Sequence, residues 1–436
     1  MTSELLVMNK NAVALAADSA ITLTRERKEN TYRNIYNTAS KLFSLSDQCP
    51  AGIMFNGAAE LNGVPWETII KIYKNNFFKN KQPTLRDYAS NFITFLNDVS
   101  NPMYGSIFPE SQQKLSFATL VYITFSQIVK RIDKAVKDID DQMGTSTIKD
   151  EIAKEWIKKY CYMYKGYTDL NGLSPEFGQE TVEKYKDVIL MVRDKIFADY
   201  AITKDSMNQL EKICARIAYK DNFINPSGIV IAGFGENDVF PSYVSFTVDA
   251  VLNNKLKYKE ENFICVDHST LKAYIMTFAQ DKTVMTFLSG IDPGYEREIH
   301  RYMRNILTKS YPRKVIENLG RMKKTKKIEI EESLRVAGES IFDEFIKNGK
   351  KYCQEHHFEP MFQALETLSK DELAKVAESL VNLESFKKRM SMEDETVGGV
   401  CDVAIISRGD GFIWIKRKHY FEQELNPHHV AKFYKG

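Results

Sequence analysis

The sequence predicts an α+β fold: two sheets packed face to face with helix layers outside, a four-layer α-β-β-α sandwich carrying a large helical insertion. Three observations predict it. The first ~60 residues read as short strands in hairpin order. Long blocks with apolar residues at i, i+3 and i+4 follow, chiefly over 64–222, 294–350 and 361–390. Short strand-like runs separate and follow those blocks, at 228–235, 241–250 and 400–416. Helices grouped in blocks between strands, rather than alternating with them singly, favour stacked sheets over a doubly wound one.

The elements justify this in order. Residues 1–23, MTSELLVMNKNAVALAADSAITL, give an apolar run, a polar turn at Asn9-Lys10-Asn11, and a second apolar run ending at Asp18. That is a hairpin pattern. Thr24 to Asn37 is polar and reads as a connecting segment. A short strand then starts at Lys41, and a turn at Asp47 to Pro50 leads into the strand AGIMFNGAA. Pro65 suits the entry to a helix. The segments LRDYASNFITFLNDV, FSQIVKRIDKAVKDIDDQM, IKDEIAKEWIKKYCYMY, ETVEKYKDVILMVRDKIFADYA and SMNQLEKICARIAY each carry an apolar stripe. Asn222 to Ser227 ends the helical block. Gly228 to Gly235 and Pro241 to Ala250 are strands, Ile275 to Asp281 a connector, and a helix starts near Thr283. The charged stretch Lys323 to Glu332 reads as a solvated turn interrupting a helical region, and Val400 to Lys416 as a final hairpin. The expected organisation is one domain over 1–436. Its core is 1–74, 223–300 and 385–436, its helical insertion 75–222, and its extended helical segment 300–385.

Composition narrows the function classes. With 60 basic and 58 acidic residues, no global field points to nucleic acid or to an anionic membrane. No run reaches the ~18 apolar residues of a membrane helix, and the first residues lack a signal peptide's basic and apolar regions. Six scattered cysteines without CxxC spacing read as reduced thiols, so a cytoplasmic location is expected. Cys353, His356 and His357 form a poor zinc pattern without a second pair. No phosphate-binding glycine loop of the GxxxxGK[ST] kind is present. Neither a metal nor a cofactor is expected.

The chemistry begins at the amino end. Loss of Met1 would leave Thr2 with a hydroxyl and a free α-amine on one residue, a nucleophile and its base together. Three further segments follow: SKLFSL with Lys41, AGIMFNGAA with Gly57, and Asp394-Glu395-Thr396-Val397-Gly398-Gly399-Val400-Cys401-Asp402-Val403-Ala404-Ile405-Ile406. Taken with AVALAADSAIT, in this order, they resemble the proteasome family of N-terminal nucleophile (Ntn) hydrolases: proteasome β subunits, the bacterial HslV peptidase and their relatives. The runs IVIAGFG and PSYVSFTVDA match that family in kind. The resemblance covers about half of the chain, which is about twice the family's size.

The resemblance implies a role for each matching residue. Thr2 would be the nucleophile, with its own α-amine, or a water held by it, accepting the proton. Lys41 would depress the nucleophile's pKa and stabilise developing negative charge. Asp18 would fix that lysine, Gly57 would offer a backbone N–H to the oxyanion, and Asp394 would orient the terminal amine. Two departures stand out. Val397 occupies the family's serine position, and Phe278-Ala279-Gln280-Asp281 replaces its Gly-Ser-Gly-type loop. The implied activity is threonine peptidase or amidohydrolase chemistry on a peptide or other amide. The implied assembly is a homo-oligomer, with an unfoldase among the possible protein partners. The alternatives are a catalytically silent structural subunit on the same fold, and a helical interaction module built on 75–222.

Overall fold

A computed structural model describes residues 3–27, 30–36, 40–78, 80–140, 146–278, 282–390, 400–419 and 421–427. In chain order the first strands are β1 (Glu4–Asn9), β2 (Val13–Ala17), β3 (Ile21–Arg27), β4 (Asn30–Tyr36), β5 (Leu42–Ser44), β6 (Ala51–Gly57), β7 (Glu60–Leu61) and β8 (Val64–Pro65). Eight helices follow: α1 (Trp66–Ile72), α2 (Leu85–Asn97), α3 (Tyr104–Ile107), α4 (Glu110–Asp140), α5 (Ser146–Gly166), α6 (Pro175–Lys184), α7 (Lys186–Ile196) and α8 (Lys204–Tyr219). Then come β9 (Ser227–Gly233), β10 (Ser242–Leu252), β11 (Lys255–Cys265) and β12 (Ala273–Thr277). A second helical block holds α9 (Lys282–Ser289), α10 (Pro293–Asn305), α11 (Tyr311–Asn318), α12 (Lys324–Cys353), α13 (Glu359–Thr367) and α14 (Lys370–Met390). Strands β13 (Asp402–Ser407) and β14 (Gly411–Lys416) follow. The chain is thus mixed α and β, and every strand pairing with a determined register is antiparallel.

The chain divides into two compact units. The first comprises Met1–Asn37, Val266–Ile405 and Ile415–Gly436. Strands β12, β1, β2 and most of β13 lie in it, in a sheet of order β12-β1-β2-β13-β14, and β1 lies on β2 with Glu4 opposite Ala17 and Met8 opposite Val13. Strand alternation sends Leu5, Val7, Ala14, Ala16, Val403 and Ile405 to one face. There they pack with Leu373, Ala377, Leu380 and Val381 of α14. The alanines of β2 let that helix lie close. Asn9 fastens the hairpin tip: its Nδ2 donates to the carbonyls of Leu365 and Leu368 at 2.9 and 3.0 Å, satisfying the carboxyl end of α13. The other face of the sheet, with Leu6, Met8, Val13 and Leu15, is buried as well.

The second unit comprises Thr38–Cys265 and Ile406–Trp414. Its sheet has the order β11-β10-β9-β6-β5. Ile53, Phe55, Ile229, Ile231, Val244 and Phe246 pack on one face against Trp66, Ile69, Tyr88 and Phe92 of α1 and α2. Burying each such large apolar side chain contributes roughly 1.5–3 kcal/mol. Met54, Val230, Ala232 and Tyr243, on the opposite face, are also buried. A Thr84–Asp87 capping box starts α2. The β10–β11 hairpin turns through Asn253 (φ 44°) and Asn254 (φ 62°), the residue type that tolerates two successive left-handed positions. Gln113 of α4 holds that turn, exchanging 2.8 Å hydrogen bonds with the backbone and side chain of Asn254. Helices α4 to α8 share a core with Ala250 and Leu252 of β10, so the insertion extends the hydrophobic interior of the sheet.

Three local expectations are corrected, and one strand that the sequence left unassigned is added. Residues 24–27 and 30–36 are paired in the two-stranded β3–β4 ribbon rather than forming a connector. Residues 275–277 belong to β12, hydrogen-bonded to β1. Residues 255–265 form a full-length strand that the charged sequence KLKYKEENF concealed. Lys324 to Glu332 opens the long helix α12 instead of interrupting a helix; the turn lies just before it. The six cysteines form no disulfide. Among the described residues no helix is long and apolar enough to cross a membrane.

One polar clamp joins the exit of the insertion to the sheet. Lys257 of β11 and Asp249 of β10 form an ion pair at 3.1 Å, with 1% and 0% of their side chains exposed. Asp249 also accepts from the backbone of Ile224 and Asn225. Lys257 also donates to the Asn222 carbonyl and lies over the Phe223 ring at 5.0 Å. Burial pulls the lysine's pKa below its ordinary value, and Asp249 opposes that fall. Asp249→Ala is therefore expected to cost about 3–5 kcal/mol in denaturant unfolding, because it strands a buried cation. Adding Lys257→Met should recover much of the loss. A single-variant cost below ~1 kcal/mol would contradict the clamp's role.

Candidate active site

The first unit builds the surroundings of the chain's amino end. Asp18 follows β2, is buried, and faces Ser3 across the hairpin. Two hydrogen bonds join these residues. The Ser3 N–H donates to Asp18 Oδ1 at 3.1 Å, and the Asp18 N–H donates to the Ser3 carbonyl at 3.0 Å. Ser3 N is covalently bonded to the carbonyl carbon of Thr2. A buried carboxylate is thus fixed one peptide away from the proposed nucleophile. Thr2 itself and Asp394 lie outside the described residues, as do Gln280, Asp281 and Val397. The described chain resumes at Val400, whose carbonyl accepts a hydrogen bond from Ser19 Oγ. That bond places Val400 beside the residue next to Asp18.

Two acids here have no role in the sequence reading. Glu4 is 1% exposed, on a strand whose other residues are apolar apart from Asn9. An acid opening an otherwise apolar run was the available signal. Asp402 is also buried and accepts from the Lys418 N–H at 2.8 Å; desolvation holds its pKa above the usual carboxylate value. Its neighbour Cys401 is pushed up to about 12, mainly by burial, then by Glu378, Asp402 and Asp18. A thiol so hard to ionise is a core residue, not a nucleophile.

The second unit holds the other two candidates. Lys41 is 1% exposed, far from the solvated lysine that its residue type favours. Its carbonyl accepts from the Phe55 N–H at 3.1 Å, extending the β5–β6 ladder. Lys41 thereby stands opposite a residue two positions before Gly57, on an adjacent strand. Gly57 closes β6 with φ +75°, and an added Cβ would lie 2.4 Å from the Pro226 carbonyl oxygen. Only glycine fits there. The backbone beyond it is pinned: Ala58 N–H donates to the Pro226 carbonyl at 3.0 Å. Ser227 Oγ donates to the Ala58 carbonyl and accepts from the Trp66 indole, both at 2.8 Å. Asp18 thus belongs to one unit, while Lys41 and Gly57 are brought together in the other.

Among the described residues, no group of three or more His, Cys, Asp or Glu side chains is arranged to hold a metal ion. Tyr352 packs on His356 with ring centroids 4.4 Å apart, and His357 packs against Gly290. These contacts account for the histidines of the Cys353-x-x-His-His stretch as packing groups.

The sequence matches no protein-family model. It also matches no curated protein.

Gly57→Ala should lower stability by at least about 1–3 kcal/mol, the strain of a left-handed non-glycine residue, with the Pro226 contact added. Thermal or denaturant unfolding of the variant measures this. An unchanged unfolding midpoint would show that the β6 end tolerates a Cβ.

Proposed function

We propose that this chain is a threonine-type Ntn hydrolase that cleaves amide bonds with Thr2, after loss of Met1, in the manner of the proteasome-like peptidases it resembles. The observation that carries the proposal is the double hydrogen bond between buried Asp18 and Ser3. It fixes the strand that presents position 2 and sets a carboxylate within one peptide of it. Burial of Lys41 and the glycine-only geometry at Gly57 support the same reading.

The chemistry follows from the residue roles. Thr2 Oγ attacks the substrate carbonyl carbon, and its proton passes to the Thr2 α-amine, directly or through water. The Lys41 ammonium stabilises the developing negative charge, and the Gly57 N–H donates to the oxyanion. Collapse of the tetrahedral intermediate breaks the C–N bond, and the leaving amine takes the proton. Water then hydrolyses the resulting ester and regenerates Thr2. Asp18 holds the lysine's charge in place, and Asp394 orients the α-amine. The four-layer α-β-β-α sandwich expected from the sequence belongs to the same proposal. The substrate is a peptide or a related amide. A homo-oligomer, formed by closure of a heterologous interface, would enclose the sites. Exposed Ile341, Phe345 and Tyr352 on α12 are apolar surface suited to such assembly.

The test combines mass and turnover. Intact mass of untagged protein should show Met1 absent. Thr2→Ala and Lys41→Ala should each abolish hydrolysis of a fluorogenic peptide library, by several powers of ten, with unfolding unchanged. Lys41→Arg should also fail, because a planar guanidinium does not replace a compact ammonium. Retained Met1, or near-native turnover by Lys41→Ala, would sink the proposal.

A further inference from the structure

The corner between α11 and α12 carries charge that the whole-chain balance conceals. Residues 309–327 contain eight Lys or Arg and one Glu, in a chain of net charge +2. Lys309 precedes α11, and Arg313 and Lys314 lie in its first turn. Arg321 and Lys323 occupy the connecting turn, and Lys324 and Lys326 open α12. All seven are exposed. Lys327 does different work: its Nζ donates to the carbonyls of Ile316 and Leu319 at 3.3 and 3.2 Å, tying the end of α11 to the start of α12. The corner is braced further along, where a Cβ on Gly338 would meet the Leu307 carbonyl at 2.3 Å. Seven cations therefore project from a fixed framework.

This charge is not there for the helix. No acidic residue stands in the first turn of α12, and Lys323 provides no side-chain cap. Cations at that end oppose the helix macrodipole, where Asp or Glu would stabilise. Acidic side chains resume only at Glu329, Glu331 and Glu332, and Glu332 is held by Arg335.

The large apolar side chains exposed within 309–327 are Tyr311 (55%) and Met322 (37%). An interfacial membrane helix needs a broad apolar face to insert, and this corner offers none. A flat aromatic among cations suits a splayed nucleobase beside its phosphates. Helix α11 is about 12 Å long, enough to follow roughly two or three phosphates of an extended strand. We propose that this corner is a sequence-independent binding surface for single-stranded nucleic acid. It rests on none of the residues assigned to hydrolysis.

The test uses the full chain and a fluorescein-labelled oligothymidylate of about 20 nucleotides, read by anisotropy at about 50 and 200 mM salt. Wild type should bind, and its affinity should fall by at least about tenfold between the two salts, as expected for a few neutralised phosphates. Lys323→Glu, Lys324→Glu and Lys326→Glu together should weaken binding by at least about tenfold. These changes place acids at a helix start, so the fold should be retained, as a thermal melt verifies. Tyr311→Ala should weaken single-strand binding several-fold and leave any duplex binding unchanged. Reversing three exposed lysines of α5 (Lys154→Glu, Lys158→Glu and Lys165→Glu) makes the same net-charge change and should have little effect. Absence of wild-type binding at the lower salt, or equal losses in both triple variants, would overturn the proposal. So would a duplex bound as tightly as the single strand with Tyr311→Ala silent, or corner-dependent binding to phosphatidylserine vesicles without oligonucleotide binding.

Discussion

The arrangement depends on one constraint: a buried aspartate and the backbone of the third residue hold each other. Asp18 has 2% of its surface exposed, so its carboxylate requires compensation. The Ser3 N–H supplies part of it, and the return bond from the Asp18 N–H to the Ser3 carbonyl makes the link two-sided. Chain ends ordinarily fray unless tied into a sheet. Here the tie is made at residue 3, and β1 continues it inward between β2 and β12. The proposed N-terminal nucleophile would depend on such a tie, because its reactive atoms would belong to the first residue of the chain.

The second unit meets a related demand by different means. Strand β6 must end abruptly against Pro226, and the left-handed Gly57 permits the close approach. Trp66 and Ser227 then lock the backbone just beyond. Lys41 is buried at the start of the neighbouring strand, where solvation no longer compensates its charge. A lysine so placed is unusual for its residue type, which is why its burial weighs more than its presence in the sequence.

Much of this was legible beforehand, and the reasons are local. The β1–β2 hairpin announced itself through two apolar runs around Asn9-Lys10-Asn11. The helices announced themselves through their apolar stripes. What escaped were elements whose signal is set by tertiary partners. Strand β11 pairs along one edge only and carries an exposed charged run, so its pattern suggested no strand. Among the described residues the β3–β4 ribbon pairs only with itself, and its sequence is polar. The start of α12 was hidden by lysines that oppose a helix N-terminus. The burial of Glu4, Lys41 and Asp402 could not be read from residue types that are ordinarily solvated.

The central claim is that Thr2, with a free amine, is a nucleophile. Its most direct measurement is covalent labelling of untagged protein by an electrophilic threonine-protease probe, such as a peptide vinyl sulfone or epoxyketone. Peptide mass mapping then identifies the labelled residue. A single adduct on Thr2, abolished by Lys41→Ala and by an N-terminal extension that blocks the amine, is the predicted result. Labelling elsewhere, or none at Thr2 in protein shown to lack Met1, would contradict the account.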